Sequence, residues 1–355
     1  MTMTSHGRRR WLLAGLGGLA AVAGSSLLSG CASRANTQAP VLDDARRSPA
    51  EGEFIARDGF SFVEFDWTDT ARQRPVPVRL YLPSAADAGR QALPLILFSH
   101  GLGGSRRGYS YLGNHFARNG LASLHVQHVG SDRALWGGNP LAMAARLQAA
   151  ARDAEALDRV ADLRFALDRV LSWSASNRLR GRIDGERIVV AGHSYGANTA
   201  LLASGARVQR EGREFALRDE RLRAAILISA PPFYGEGALE PILRPLRMPS
   251  LHITATGDDI QVPGYFSAYT DRIAVFDAIG STRKALAVFA GGSHSIFTDR
   301  ALTGGVELNP RVKAATQELT LAFVRSELDQ RHDDLRDWPL RHRDILARFE
   351  PASIG

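Results

Sequence analysis

A serine stands between two glycines, each two residues away, at Gly192-His193-Ser194-Tyr195-Gly196. The apolar run "RIVVAG" (187–192) leads into it, and small and apolar residues at helical spacing follow. A buried strand passing this abruptly into a helix turns sharply at Ser194, lifts its hydroxyl into a cleft, and leaves no room for side chains at 192 and 196. The same turn puts the Tyr195 backbone N–H at a helix start, where a negative oxygen is favoured. A neutral hydroxyl is a weak nucleophile; it needs a base, and the base needs an orienting acid. Two later segments offer them, each after an apolar run. "TATGDDIQVPG" (254–264) contains Asp258 and Asp259, and "AGGSHSIF" (290–297) contains His294. "FSHGLGG" (98–104) follows the first continuous apolar run, and its glycines let backbone approach a cleft closely. Leu102 N–H is the candidate partner of Tyr195 N–H in holding a tetrahedral oxyanion. The chemistry these residues could do is nucleophilic acyl transfer.

Other residues read more quietly. His193 should point away from the cleft and pack, His100 should brace its loop, and His125, His128 and His252 lie in or beside strands. Phe233, Ile260 and Phe297, with Tyr195, are candidate walls of a substrate pocket. Trp136 falls in a segment, 131–150, that has no clear placement and could lie over the site. Neither H-E-x-x-H nor a cysteine pair occurs, so no metal or other cofactor is expected.

Positioning these groups takes a sheet. "FSFVEFDW" (60–67) and "VPVRLYLP" (76–83) predict an antiparallel pair. "LPLILFS" (93–99), "LASLHVQHV" (121–129), "RIVVAG" (187–192), "RAAILIS" (223–229), "SLHITAT" (250–256) and "ALAVFAG" (285–291) predict buried strands. Helices are predicted over 109–120, 153–175, after Ser194, and over 311–328, with a short one at 339–349 that could cap a sheet edge or the entrance. Strands alternating with helices imply an α/β architecture, a mostly parallel central sheet with helices on both faces.

The N-terminus reads as an address. "GRRRWLLAGLGGLAAVAGSSLLSGC" has a charged start, an apolar middle and small residues before Cys31, the only cysteine. Its arginine run resembles a twin-arginine export signal, and "LSGC" resembles the lipobox of bacterial lipoproteins. That resemblance implies acylation of Cys31 and a protein exported to the cell envelope, held on the periplasmic side of a membrane by a lipid anchor. The expected layout is a signal over 1–30, a flexible tether over 31–54, one catalytic domain over 55–330 and a C-terminal extension over 331–355. The formal net charge is +7, and three of those charges are Arg8, Arg9 and Arg10. No basic block follows them, so a nucleic-acid partner is not expected.

"LPLILFSHGLGG", "FARNGLASLHVQHVGSDR" and "GHSYGANTALL" together resemble the platelet-activating-factor acetylhydrolase group, and the related predicted dienelactone hydrolases, within the α/β-hydrolases. The resemblance implies the chain order Ser194, Asp, His294, with oxyanion donors at Leu102 and Tyr195. Similar folds often show the acid four residues before a proline, which favours Asp259, ahead of Pro263. Dienelactone hydrolases proper use a cysteine nucleophile, so serine esterase chemistry on short-chain or lipid-like esters is the expectation. A surface-acting lipase or polyesterase and a catalytically silent binding module are the alternatives.

Overall fold

The apolar runs of the sequence become strands of one large sheet. The computed structural model describes residues 52–84, 92–176, 182–210, 212–233, 235, 237–262 and 265–352. The three-residue β1 (Ile55–Arg57) pairs antiparallel with β2 (Phe60–Asp69). β2 then pairs along its full length with β3 (Arg74–Pro83), from Phe60 opposite Pro83 to Asp69 opposite Arg74. Next come β4 (Leu93–Ser99), α1 (Ser110–Arg118), β5 (Ala122–Val126), α2 (Pro140–Ala150) and α3 (Asp153–Ser176). β6 (Ile183–His193) leads into α4 (Tyr195–Ser204), and a small hairpin, β7 (Arg207–Arg210) and β8 (Arg213–Ala216), precedes β9 (Leu222–Ile228). After α5 (Glu240–Leu243) and β10 (Ser250–Gly257), a second hairpin, β11 (Ile260–Val262) and β12 (Tyr265–Ser267), leads to α6 (Tyr269–Ala278). The chain continues through β13 (Lys284–Ser293), α7 (Leu308–Asp329), α8 (Asp333–Arg341) and β14 (Leu346–Glu350).

The large sheet runs β1-β2-β3-β5-β4-β6-β9-β10-β13-β14. The five pairings from β5 to β13 are parallel, and the flanking β3–β5 and β13–β14 pairings are antiparallel. Side chains along a strand alternate between faces, and here both faces are covered. Leu95, Leu97, Ile188 and Val190 join the apolar cluster under α3 and α4. Their neighbours Ile96, Phe98, Val189 and Ala191 join the cluster under α1 and α7. Burial on both sides is why the parallel strands read as unbroken apolar runs. The segments that follow β4, β6, β10 and β13 all leave the same, C-terminal, edge of this parallel sheet, where open α/β sheets place their sites.

Two expectations change here. The segment after residue 330, expected as an extension that could cap a sheet edge, does lie on one, but with other element bounds. α8 begins at Asp333, earlier than the expected 339–349, and residues 346–350 form a strand that closes the sheet edge against β13. Trp338 is fully buried, and its Nε1–H donates to Ala315 O at 2.9 Å. The folded unit therefore extends at least to residue 352. At the other end, Gly52 N–H already bonds Glu64 O at 3.0 Å, and Phe54 stacks on Trp173. The expected signal (1–30), Cys31 and most of the tether lie outside the described residues. Among the described residues no helix is long and apolar enough to cross a membrane.

Candidate active site

Ser194 sits between the last residue of β6 and the first of α4 with φ 56° and ψ −122°. A non-glycine residue with positive φ is strained and persists only where its surroundings hold it. The restraint comes from both sides: Ser194 N–H donates to Ile228 O at 2.9 Å, and its C=O accepts from Ala197 N–H at 2.9 Å. The flanking glycines are a steric requirement. A Cβ on Gly192 would lie 2.2 Å from Gly196 O, and one on Gly196 would lie 2.0 Å from Ser99 O.

His294 opens a 3₁₀ turn (His294–Phe297) at the end of β13. Its Nε2 is 2.8 Å from Ser194 Oγ, and its Nδ1 is 2.7 Å from Asp258 Oδ1. The acid on the imidazole is therefore Asp258, which corrects the expectation of Asp259. Asp258 is fully buried at the end of β10, and its second oxygen accepts from Thr254 Oγ1 at 2.7 Å and from the Ser229 hydroxyl. Arg272 stands 3.9 Å from Oδ1. Burial by itself would raise the Asp258 pKa. The His294 hydrogen bond and the charges of His294 and Arg272, with the Ser229 hydroxyl, outweigh it and hold the carboxyl below its ordinary range. An ionised Asp258 accepts only, so Nδ1 carries the imidazole proton and Nε2 offers its lone pair to Ser194. Asp259 is exposed and turned away; its Oδ1 accepts Tyr269 N–H at 3.1 Å, at the start of α6. The spacing to Pro263 therefore does not select the acid in this loop.

His193 does more than fill space. It is buried, its Nδ1 accepts from Tyr109 OH at 2.8 Å, and its Nε2–H donates to the backbone carbonyl of His294 at 3.0 Å. The two imidazole rings lie 4.7 Å apart. Burial and the nearby His294 lower the His193 pKa to about 3, so the ring stays neutral and can serve both bonds. Ser229, Thr254, Arg272 and Tyr109 were not singled out in the sequence. Only Thr254 carried a usable signal, being four residues before Asp258 in the same run.

The expected oxyanion donors, Leu102 and Tyr195, follow β4 and β6, neighbouring parallel strands of the sheet. Tyr195 opens α4, so its N–H has no acceptor within the helix. In the loop after β4, Gly101 N–H donates to Tyr109 OH, Gly103 N–H to Ser131 O and Gly104 N–H to Gly101 O. Leu102 N–H is the member of this loop, among the described residues, that none of these bonds engages. The segment 131–136 is laced to the same loop: Arg133 N–H donates to Gly104 O at 2.8 Å, and the half-exposed Trp136 donates through Nε1 to Gly103 O at 3.3 Å.

The pocket expectations fare unevenly. Phe297 is fully buried between Phe289 and His193, so it is core and not a pocket wall. Phe233 is likewise buried in the cluster under α3 and α4. Ile260 stays partly exposed on the hairpin after Asp258. Tyr195 is partly exposed, with the Arg159 guanidinium 4.3 Å from its ring centre.

A family model described as platelet-activating factor acetylhydrolase, isoform II, matches residues 74–136. That span covers β3, β4, the Leu102 loop, β5 and the Trp136 turn; Ser194, Asp258 and His294 lie beyond it. No curated protein sequence matches the chain. The mostly parallel sheet with helices on both faces is an α/β-hydrolase fold, and over residues 74–136 the chain is similar to the platelet-activating-factor acetylhydrolase family, a likeness that points to a hydrolase of esterase or acetylhydrolase type.

Proposed function

We propose that the chain is a serine carboxylic-ester hydrolase acting through an acyl-enzyme. Ser194 Oγ attacks the ester carbonyl while His294 Nε2 takes its proton, and Asp258 holds the imidazole in the required tautomer and balances the imidazolium. Leu102 and Tyr195 N–H groups receive the oxyanion. The C–O bond to the alcohol then breaks, with the alcohol leaving on the proton from His294. Water, deprotonated by the same imidazole, releases the carboxylic acid and restores Ser194. The observation that carries this reading is the unbroken chain Ser194–His294–Asp258, with bonds of 2.8 and 2.7 Å, at a strained strand-to-helix turn.

The substrates proposed are short-chain or lipid-like neutral esters. Hydrolysis at a lipid or polymer surface is a second reading, favoured by the large apolar side chains of Trp136, Phe266, Leu302 and Val306, all more than half exposed on segments after β5, β10 and β13. The N-terminal export and lipidation signals fit either reading by placing the enzyme at an envelope membrane. The test is labelling with a fluorophosphonate, then turnover of p-nitrophenyl esters of graded acyl length. Labelling of the parent chain, none of Ser194→Ala, and loss of turnover in that variant are expected. A Ser194→Ala variant that keeps most of its turnover, or a folded parent that neither labels nor hydrolyses any ester, overturns the proposal.

A further inference from the structure

Beneath the Leu102 loop lies a buried polar cluster that the proposed mechanism does not use. At its centre is Arg159 of α3, fully buried. Its Nη1 donates to Ser131 Oγ at 2.7 Å, its Nη2 to Ser99 Oγ at 3.1 Å and to the carbonyl of His100, and its Nε to Thr199 Oγ1 at 2.9 Å. The guanidinium carbon also lies over the ring of Tyr195, 4.3 Å from its centre. One side chain thus holds the end of β4, the start of the Leu102 loop, and the first turns of α4.

The cluster includes a second Ser–His–Asp chain. Ser99 Oγ is 2.9 Å from His128 Nε2, and His128 Nδ1 is 3.1 Å from Asp162 Oδ2. This repeats the connectivity of Ser194, His294 and Asp258, but all three residues are closed to solvent. Arg159 occupies Ser99 Oγ, while Arg72 and Arg74 bind Asp162. It serves as an anchor: Asp162, and Glu155 through its 2.6 Å bond from Ser131, balance the buried guanidinium.

The anchor reaches the peptide that carries Leu102 N–H. His100 Nε2 accepts from His128 N–H at 3.1 Å, which leaves its proton on Nδ1, and Nδ1–H donates to Gly101 O at 2.7 Å. Gly101 O also accepts Gly104 N–H at 3.0 Å. In a trans peptide the N–H points opposite to the C=O. Fixing Gly101 O from two sides therefore fixes the direction of Leu102 N–H.

We propose that Arg159 is the positioning residue of the oxyanion hole, tying the loop that carries Leu102 N–H to the helix that carries Tyr195 N–H. The role rests on the esterase reading above. It calls for a planar fork with five donors; a lysine ammonium has three donors on one atom and cannot span these acceptors. Donors displaced by an ångström forfeit about 10²-fold in rate.

The test uses Arg159→Lys and Arg159→Met in the full chain. Competent sites are counted by fluorophosphonate labelling taken to completion, so that misfolded protein does not enter the rates. Per competent site, kcat should fall roughly 10²-fold in Arg159→Met and less in Arg159→Lys, with KM within about threefold of the parent. Affinity for a trifluoromethyl ketone, whose Ser194 adduct places an oxyanion in the hole, should fall in parallel with kcat. A kcat per competent site within about threefold of the parent overturns the proposal. If neither variant folds, Thr199→Val removes one arm of the clamp and decides: a fall in kcat and ketone affinity without a change in KM supports it, and unchanged values overturn it. Ser194→Ala run alongside separates the two claims, since a silent Ser194→Ala with unaffected Arg159 variants refutes the clamp alone, whereas an active Ser194→Ala refutes the esterase reading.

Discussion

Replacing Asp258 by asparagine tests the acid of the proposed triad, and the surrounding bonds dictate the outcome. Thr254 and Ser229 both present hydroxyl hydrogens to Oδ2 of Asp258. An asparagine would turn its carbonyl oxygen toward those donors and its NH2 toward His294 Nδ1. The NH2 only donates, so the imidazole must accept there and carry its proton on Nε2. Nε2–H would then face Ser194 and could not take the serine proton. An amide at this position lowers turnover about 10⁴-fold in triads of this kind, some 5 kcal/mol of barrier. Asp259→Asn keeps an acceptor for Tyr269 N–H and should leave kcat within about twofold. The assay is kcat on a short p-nitrophenyl ester, with circular dichroism and melting curves to confirm folding. The reasoning fails if folded Asp258→Asn keeps more than about a tenth of parental turnover, or if Asp259→Asn loses as much as Asp258→Asn.

Gly196→Ala would drive a methyl to 2.0 Å from Ser99 O and should destabilise by about 3 kcal/mol or more. A melting temperature lowered by roughly 6 °C or more is expected, and an unchanged one contradicts the steric account. Trp338→Ala should cost about 3–5 kcal/mol in denaturant unfolding, since it empties a fully buried site and orphans Ala315 O; a loss below about 1 kcal/mol would mean that α8 is dispensable. Acid should destabilise the fold early. Burial lowers His125, His193 and His252 to about 3, below the unfolded value of about 6.5, so each takes up a proton on unfolding. Their contribution is complete above pH 6.5 and shrinks as pH falls toward 3, by about 2 kcal/mol each at pH 5. The buried carboxyl of Glu155, whose pKa burial raises, offsets part of this loss. Melting temperature followed from pH 7 to 5 at constant ionic strength should drop; a flat profile refutes the buried neutral histidines.

Much of the site could be read in the sequence because sterics and chain order constrain it. Gly192 and Gly196 announce the turn at Ser194, as no other residue fits either place. His294 stands out as the histidine after the last parallel strand. The choice between Asp258 and Asp259 was not legible, since it depends on which of two adjacent side chains turns inward toward Ser229 and Thr254. The strands buried on both faces were clear from their apolar runs, whereas the hairpins β7–β8 and β11–β12 are too short to show alternation. The region after 330 misled because Trp338, Leu340 and Ile345 suggest one helix, while the helix ends at Arg341 and the next apolar residues enter a strand. Arg159 was hidden in a helix read for its apolar stripe. Glu155, Arg159 and Asp162 are spaced four and three apart, which puts a charged row on one face, and that row turns out to be buried.

The edge strand β14 has a consequence for biosynthesis. It covers β13, the strand that delivers His294, yet α7 and α8 must be made before it arrives. Until then β13 offers a row of unpaired N–H and C=O groups, the kind of border on which chains stick to one another. A ribosome that stalls or a nonsense codon just short of Leu346 would therefore yield a clumping polypeptide rather than an inert one, and chaperone demand should peak during that last interval of translation.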